Sequence, residues 1–343
     1  MARLIDVPTL RRFVAKRGIS RVLAELADVI EASYRRWEEF DKSPRHAIHF
    51  DHGVIELMPV ADRTRYACKY VNGHPGNPAD GRMTVAALGI LSDVDCGYPL
   101  LVSEMTLLTA LRTAATSGLV ARYCARPESA VLALIGTGAQ AEFQTLAFAN
   151  ERPLRSIRYY DVDPQAMAKF EHNMATQNLE LVPCASIEEA VDGADIVSVA
   201  TAIKDRQALI TPAMLRPGMH INAVGGDCPG KTELSPEVLP HCDVIVEFEP
   251  QTRIEGEIQD TDCAVTEFHE IVRGMREGRL AETDITLFDS VGFALEDHAT
   301  LCWLYDNIEG FEVELVPEAD DPRDLYSLLS SGDAAPMSSA ASF

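Results

Sequence analysis

A glycine-containing turn at residues 136–141 is the stretch of this sequence whose chemistry is easiest to interpret. It reads Gly-Thr-Gly-Ala-Gln-Ala and follows the apolar run Val-Leu-Ala-Leu-Ile. A strand that enters such a turn and continues as a helix is typical of dinucleotide-binding proteins. Gly136 would permit the tight turn, and Gly138 would let a pyrophosphate approach the N–H groups at the start of the helix. An ordinary glycine turn before a core helix fits the same letters, so the context has to decide.

An aspartate stands where a dinucleotide-binding unit has its ribose ligand. A predicted strand, Ile-Arg-Tyr-Tyr at residues 157–160, leads directly to Asp161, about 20 residues beyond the turn, as the fingerprint requires. A carboxylate there accepts hydrogen bonds from ribose hydroxyls and repels a 2′-phosphate. The order of strand, turn, helix, strand and acid therefore predicts a dinucleotide site and favours NAD over NADP.

A second glycine-containing segment, residues 225–234, could supply the catalytic group. It reads Gly-Gly-Asp-Cys-Pro-Gly-Lys-Thr-Glu-Leu and follows the predicted strand His-Ile-Asn-Ala-Val. Because ligands of open α/β sheets bind beyond the carboxyl ends of the strands, Asp227 is expected in the cofactor cleft, where it could take a proton from a substrate amine. By the same rule Thr201 and Ser290 should face the cleft, and Lys231 could contact a phosphate or a carboxylate. The alternative is that Asp227 only caps a turn.

Basic residues in apolar surroundings could bind a substrate carboxylate. Strand alternation puts the Lys69 side chain on the buried side of its strand, and a buried lysine is costly unless it is paired. Arg45 opens a strand region, and Arg112 lies on a helix. Three cations on separate elements could converge on one carboxylate, with Glu56 beside a substrate amine. Taken singly, each is better explained by a surface or structural ion pair.

The histidines and cysteines form no metal-binding pattern. His46, His49 and His52 are close in sequence, but in a strand His49 faces away from the other two. The His-Glu pair at residues 269–270 lacks the second histidine of the zinc protease motif. None of the eight cysteines belongs to a C-x-x-C pair. We therefore predict no bound metal, zinc knuckle or redox pair.

The hydrophobic pattern predicts the elements that position these residues. Residues 1–42 have a helical period, whereas residues 43–102 alternate between turn residues, which predicts antiparallel hairpins. Residues 103–124 are helical again. From about residue 125 to 295 strands and helices alternate, which is typical of a parallel doubly wound sheet. A helix is expected over 296–315, after which the chain returns to the first domain.

The chain is therefore expected to be an α/β protein with two domains, since 343 residues are more than one compact core usually holds. A Rossmann-type doubly wound NAD domain should cover residues 125–299. A discontinuous α+β domain for the substrate should combine residues 1–124 with 300–330. The small polar residues 331–343 should form a disordered tail.

Composition narrows the class of function. The net charge is −23, from 53 acidic and 30 basic residues, which argues against nucleic-acid binding. A negative field also suits a cationic substrate, although solubility alone is the simpler explanation. No uncharged apolar run reaches the roughly 18 residues of a membrane span, and the charged N-terminus is unlike a signal peptide. We therefore expect a cytoplasmic protein.

Several longer motifs resemble those of the ornithine cyclodeaminase/μ-crystallin family. The resemblance covers nearly the whole chain, and its most specific parts are Lys-Tyr-Val-Asn-Gly-His-Pro at residues 69–75 and the segment 225–234. These motifs favour the branch of the family that uses ornithine. The resemblance implies that NAD takes the Cα hydride of L-ornithine, the δ-amine closes a ring, ammonia leaves, and the returned hydride gives L-proline. It also implies a homodimer joined through the first domain's sheet.

The resemblance implies roles for individual residues. The residues expected to hold the substrate carboxylate are Arg45, Lys69 and Arg112. Asp227 should be the catalytic acid and base, Glu56 should lie near the amines, and Val291 should line the substrate site. The residues expected around NAD are Thr84, Arg112, Gly136, Gly138, Ala139, Gln140, Asp161, Thr201, Val224, Gly225, Gly226, Asp227, Lys231 and Ser290. Residues 202–209 are less typical of the family, so contacts there stay open.

Other functions of the same pocket stay open at this point. Lysine could be cyclised in place of ornithine, or a ketimine or imino acid could be reduced with NAD(P). A non-catalytic binding protein, as among crystallin relatives, is a further alternative. An acid and base at Asp227 speaks against that last reading.

Overall fold

The computed structural model describes residues 1–202 and 205–330. Its strands are β1 (Ala2–Ile5), β2 (Asp41–Lys42), β3 (His46–Phe50), β4 (Gly53–Ala61), β5 (Arg65–Gly73), β6 (Val85–Asp93), β7 (Pro99–Glu104), β8 (Val131–Ile135), β9 (Ser156–Tyr160), β10 (Glu180–Pro183), β11 (Ile196–Val199), β12 (Arg206–Ile210), β13 (His220–Ala223), β14 (Thr232–Leu234), β15 (Asp243–Val246), β16 (Val265–Glu267), β17 (Thr286–Asp289) and β18 (Phe311–Val313). Its α-helices are α1 (Val7–Arg17), α2 (Ile19–Arg35), α3 (Thr106–Cys124), α4 (Ala141–Glu151), α5 (Pro164–Met174), α6 (Ile187–Val191), α7 (Glu249–Glu255), α8 (Phe268–Val272), α9 (Ala294–Asn307) and α10 (Ser327–Ser330). Over the described ranges, no helix has the length and apolar character needed to cross a membrane. The predicted disordered tail, residues 331–343, lies outside the described residues.

The first sheet combines the N-terminal part of the chain with a strand from near its C-terminal end. Its order is β18-β1-β7-β6-β5-β4-β2, and β3 also pairs with β4. Neighbours are antiparallel except for β1 and β7, which are parallel. The hairpins predicted for residues 43–102 are confirmed. Residues 1–42 are not wholly helical, however, because they begin with β1 and end with β2, two strands too short to disturb the helical period.

Helices α2 and α9 cover the inner face of the first sheet. Helix α9 packs on β4, β5 and β6, and α2 packs on both α9 and α3. The apolar face of α2 is buried, as its three- and four-residue spacing predicts; it consists of Leu23, Leu26, Ile30 and Tyr34. The side chains of the inner face are therefore enclosed between sheet and helices.

The second sheet is parallel throughout, with the order β10-β9-β8-β11-β13-β17-β15-β16. From β8 the chain moves outward to β10 and then crosses to the other side of β8 at β11, so the order reverses between β8 and β11. Strands β11, β13 and β17 are buried along their whole length, because helices cover both faces. The predicted Rossmann-type doubly wound fold is confirmed.

The C-terminal elements differ from the expected helix over residues 296–315. Helix α9 ends at Asn307, and β18 then pairs with β1. A Cβ on Gly310 would lie 2.6 Å from the Leu4 carbonyl oxygen, so the chain here passes directly beside β1 and cannot continue as a helix. Because α9 packs on the first sheet, we propose that the domain boundary lies before this helix rather than at 299/300.

Candidate active site

The glycine turn after β8 lies where the strand order reverses, which is where open α/β sheets bind ligands. Gly136 has a φ of 93°, in the region that side chains with a Cβ avoid. A Cβ at this position would also lie 2.7 Å from the Ala200 carbonyl oxygen beyond β11. Both the backbone angle and the neighbouring strand therefore require glycine at the first position of the motif.

Gly138 is glycine for a different reason, because nothing lies within 4 Å of the position where its Cβ would be. Protein packing therefore does not explain its lack of a side chain, whereas the close approach of a pyrophosphate does. Gly138 and Ala139 are exposed, and the buried Oε1 of Gln140 has no hydrogen-bond partner in the described part of the chain. Open space, exposed backbone and an unsatisfied polar atom together fit a dinucleotide.

Asp161 is tied to the glycine turn. Its carboxylate accepts hydrogen bonds from the Thr137 backbone N–H at 2.6 Å and the Thr137 hydroxyl at 3.2 Å. It also accepts the N–H of Asp163 at 2.9 Å. The end of β9 is thereby fixed against the turn, and the half-buried carboxylate keeps acceptor capacity for ribose hydroxyls.

The segments after β11 and β13 meet at Lys231. Its Nζ lies 3.4 Å from the Thr201 carbonyl oxygen and 3.5 Å from Asp227 Oδ1. Burial opposes the charge of Lys231, but the carboxylates of Asp227 and Glu233 outweigh burial and raise its pKa. The Asp227 side chain itself is 54% exposed, so a proton acceptor faces the open side of this edge. Val224, at the start of the same loop, is held by a 3.0 Å hydrogen bond from its N–H to Val199.

The loop after β17 is organised by Glu247, which is fully buried. Its carboxylate accepts hydrogen bonds from the Ser290 hydroxyl at 2.6 Å and from the N–H groups of Val291 and Gly292 at 3.3 and 3.1 Å. The carbonyl oxygens of Val291 and Gly292 in turn accept hydrogen bonds from Arg45. Ser290 and Val291 are thus held between the two sheets.

Lys69 and Arg112 share one acidic partner on α9. Lys69 Nζ lies 3.0 Å from Asp297 Oδ1 and 2.9 Å from Oδ2, and Arg112 Nε lies 3.0 Å from the same Oδ1. Arg112 Nη1 also donates to Glu296 at 2.8 Å. Burial and the adjacent Arg112 charge lower the pKa of Lys69 to about 8, against the pull of Asp297. The alternation rule that placed Lys69 on the buried side is confirmed.

Arg45 is held by acids of both sheets. Its Nη1 donates to Glu56 at 3.0 Å, and its Nε lies 3.1 Å from Glu255 Oε2 without the alignment of a hydrogen bond. Each of the three predicted cations therefore already has a protein carboxylate as its partner. The sequence-based hypothesis placed the three cations around one substrate carboxylate and did not include these protein acids. Glu255, Glu296 and Asp297 were not singled out from the sequence, because their cationic partners lie far away along the chain.

Glu255 is the pocket acid with capacity to spare. None of the described residues donates a hydrogen bond to it, and its buried Oε2 is unsatisfied. Burial raises the pKa of Glu255 to about 7, assisted by the charges of Glu56 and Asp227 and opposed by Arg45. A buried carboxyl without a donor is costly, so this position is suited to a cationic group of a ligand.

Two further predictions concern Thr84 and metals. Thr84 is half-buried in the loop before β6, where its carbonyl oxygen accepts the His74 N–H at 2.8 Å; its role toward NAD stays a prediction. Within residues 1–202 and 205–330, no group of three or more His, Cys, Asp or Glu side chains could hold a metal ion.

Comparison with known proteins identifies the family. The model of the ornithine cyclodeaminase/mu-crystallin family matches residues 10–312. The chain belongs to this family. An ornithine cyclodeaminase of Agrobacterium fabrum (strain C58) is 51% identical over 331 residues, which are 95% of this chain and 94% of that protein. The resemblance stated from the motifs is confirmed.

Two solved structures related to this family member share its fold. One is a lysine cyclodeaminase, described with the recognition of L-lysine, L-ornithine and L-2,4-diaminobutyric acid; it has a TM-score of 0.88 at 28% identity and covers 95% of this chain and 99% of its own. The other is an archaeal alanine dehydrogenase dimer with bound NAD; it has a TM-score of 0.84 at 29% identity and covers 92% and 99%. The similarity extends over both sheets.

The two glycines of the turn can be separated by experiment. Gly136→Ala should lower Tm, because a positive φ costs about 1–2 kcal/mol and the new Cβ would collide with Ala200. Gly138→Ala should leave Tm unchanged but weaken NAD binding roughly tenfold or more, since its Cβ would occupy the open space. Thermal unfolding and NAD titration measure the two effects.

Gly193→Ala is the matched control, because Gly193 has a φ of 80° and nothing within 4 Å of a Cβ. Its Tm should fall only through the cost of the positive φ, without a collision, and its affinity for NAD should be unchanged. Unchanged NAD affinity in Gly138→Ala would contradict the assignment of this turn.

Proposed function

We propose that this protein converts L-ornithine to L-proline and ammonia with NAD as its cofactor. The observation that carries the proposal is a buried cluster of ion pairs, formed by three cations and four carboxyl groups, in a chain that also has a dinucleotide-type turn. The relative from Agrobacterium fabrum, which is named ornithine cyclodeaminase, supports the same substrate at 51% identity.

NAD would be held at the turn after β8 and at the ends of the neighbouring strands. Its pyrophosphate would approach Gly138 and the start of α4, and its ribose would meet Asp161. The other proposed contacts come from Thr84, Arg112, Ala139, Gln140, Thr201, Lys231, Ser290 and the loop from Val224 to Asp227. When bound, this cofactor supplies the acceptor and later the donor of a hydride.

The cations of the pocket would hold the substrate carboxylate. Arg45 lies directly before β3, Lys69 on β5 and Arg112 on α3, and their partners keep them charged and fixed in place. Arginine can bind a carboxylate with two parallel hydrogen bonds. A substrate carboxylate anchored there would leave the Cα of the amino acid oriented toward the second sheet, with Val291 at the side of the pocket.

The acids would hold the two ammonium groups. The four pocket carboxyl groups, Glu56, Glu255, Glu296 and Asp297, outnumber the three cations by one, and Asp227 at the rim is balanced by Lys231. L-Ornithine carries one carboxylate and two amines, so its net positive charge offsets this excess. We assign the side-chain amine to Glu255, the one without a donor, with Glu56 beside it.

Asp227 would act as the acid and base. Its half-exposed carboxylate can take a proton from the α-amine, which frees the lone pair that assists loss of hydride, and can later return a proton when ammonia leaves. Holding both ends of the substrate brings the side-chain amine to the oxidised carbon, an orientation effect that favours ring closure.

The first test is turnover with less than one equivalent of NAD. The wild type should form proline and ammonia in equal amounts without net NADH, and should prefer ornithine to lysine. Asp227→Asn should lower kcat roughly 10²- to 10⁴-fold while binding NAD with similar affinity. Accumulation of NADH without proline, or full activity in the variant, would contradict the proposal.

Glu255 can be tested through the substrate's side-chain amine. Glu255→Gln should raise KM for ornithine roughly tenfold, since a charge-assisted hydrogen bond is worth about 1.5 kcal/mol or more. Inhibition by norvaline, which lacks that amine, should not change. Glu249→Gln is the control, because Glu249 lies on the same helix but pairs with Arg253 at the surface. Equal effects on ornithine and norvaline would refute the assignment.

We propose further that the protein is a homodimer joined through the outer face of the first sheet. Large apolar side chains lie exposed there on paired positions of neighbouring strands: Leu57 opposite Tyr70, and Tyr70 opposite Leu88. Ile48 and Ile90 extend the same patch. Contiguous exposed apolar surface is typical of an interface, and the related alanine dehydrogenase structure is a dimer.

The eight free thiols suit the reducing cytoplasm, where we place the protein.

A charge within the patch should separate the subunits. Leu88→Glu is expected to yield a monomer by sedimentation velocity, because the buried charge would be unpaired in the interface. Met275→Glu, at an exposed apolar residue outside this sheet, should leave the wild-type dimer intact. A monomeric wild type, or a dimeric Leu88→Glu, would rule out this interface.

A further inference from the structure

A series of buried carboxyl groups links the segments at the carboxyl edge of the second sheet by hydrogen bonds. At the end of β17, Asp289 accepts hydrogen bonds from the N–H groups of Glu257 at 3.0 Å and Ile258 at 3.1 Å. Glu257 in turn accepts those of Glu233 at 2.8 Å and Leu234 at 3.0 Å. The carboxyl groups are buried, so β17 is linked through the segment 257–258 to β14.

Glu233 is the last acid of this series and lies beside the proposed cofactor site. Its Oε1 accepts a hydrogen bond from the hydroxyl of Thr201, at the end of β11. Its Oε2 is buried and has no partner among the described residues. Burial raises the pKa of Glu233 to about 7, although Lys231 acts in the opposite direction. Neither Glu233 nor Glu257 has a role in the proposed reaction so far.

The two acids explain the glycine pair before Asp227. A Cβ on Gly225 would overlap the carboxyl group of Glu233, and a Cβ on Gly226 would overlap that of Glu257. The absence of side chains at these two positions therefore makes room for the two carboxyl groups, and the expected contact of the pair with NAD stays a prediction. Because Asp227 is the next residue, the two carboxyl groups determine where its backbone lies.

Lys231 connects Glu233 to Asp227 electrostatically. Its Nζ is 3.5 Å from Asp227 Oδ1, and the negative charges of Asp227 and Glu233 both raise the pKa of Lys231. A separation of 3.5 Å is longer than that of a tight ion pair. Lys231 interacts electrostatically with Glu233 as well as with Asp227, so its positive charge is shared between two acids.

We propose that Glu233 and Glu257 are positioning residues for Asp227. Glu257 holds β14 against the loop after β13, and Glu233 competes with Asp227 for the positive charge of Lys231. The Asp227 carboxylate is then able to exchange a proton with the substrate amine. Both acids act through other residues, and the inference rests on the proposed function because that function makes Asp227 the acid and base.

Glu233→Gln is the decisive variant, since it keeps the shape and the acceptor for Thr201 but removes the charge. We expect kcat for ornithine at pH 8 to fall roughly tenfold, as small misplacements near reacting groups can cost up to 10²-fold, while KM stays within about threefold. The acidic limb of the kcat profile should move to lower pH, because the variant lacks the Glu233 carboxyl group, whose pKa burial raises to about 7.

Glu104→Gln is the matched control. Glu104 is also buried, with one oxygen bound by the Leu107 N–H at 2.9 Å and the other without a partner in the described part of the chain, but it lies on β7. Its kcat and pH profile should equal those of the wild type. An unchanged kcat and unchanged pH profile in Glu233→Gln would overturn the proposal.

A double-mutant cycle tests the geometry without any turnover. Gly225→Ala should lower Tm because of the overlap with Glu233, and Glu233→Ala in the same chain should recover part of that loss, so that the two effects are not additive. Additive changes in Tm would overturn the proposal. If the wild type does not turn over ornithine, the proposed function fails, whereas this coupling in Tm still decides whether Glu233 determines the position of the loop.

Discussion

Buried charge is the constraint on which the pocket depends. Lys69 and Arg112 are almost fully buried on the first-sheet side, and both need Asp297 on α9 to remain there. Removing one partner of such a pair leaves an uncompensated charge at a cost of about 3–5 kcal/mol. Since α9 begins directly after the loop that follows β17, these ion pairs dock that loop onto the first sheet. Gly292 in this loop leaves space for the guanidinium of Arg112, which would lie 2.8 Å from a Cβ there.

The same constraint determines what the pocket can accept. The cationic side chains are held in place by their protein partners. A substrate carboxylate would therefore form hydrogen bonds to them without first having to order these side chains. The acids exceed the cations, and Glu255 is the one for which the described residues provide no hydrogen-bond donor. A ligand with a single amine would leave that carboxyl group unsatisfied. The charge balance of the pocket, rather than its shape, is therefore what points to an amino acid with two amines.

The local parts of this structure could be predicted from the sequence, whereas the pairings could not. The turn with Gly136 and the aspartate at 161 are separated by one helix, so their spacing is a local property, and the alternation of strands with helices continues it. Glu296 and Asp297 read as ordinary charges at the start of a helix, and only the fold brings them to Arg112, which lies more than 180 residues away. Strands β1 and β18 are too short for their period to be recognised, so the sequence predicted that the chain returns to the first domain but not that β18 pairs with β1.

The glycines show that a motif can indicate the need for a residue without a side chain, but not which group occupies the space that the missing side chain leaves. Gly136 is needed for its backbone angle and for the strand beside it, and Gly138 leaves space that no described protein atom fills. Gly225 and Gly226 leave space as well, but that space is filled by the protein's own carboxyl groups. From letters alone all four predict the approach of a ligand. The distinction depends on what lies over each Cα, and at the second turn it is Glu233 and Glu257, residues that the motif itself does not identify as partners. In the proposed mechanism, Asp227 would thus depend on two acids that would not be found by looking for residues that contact the substrate.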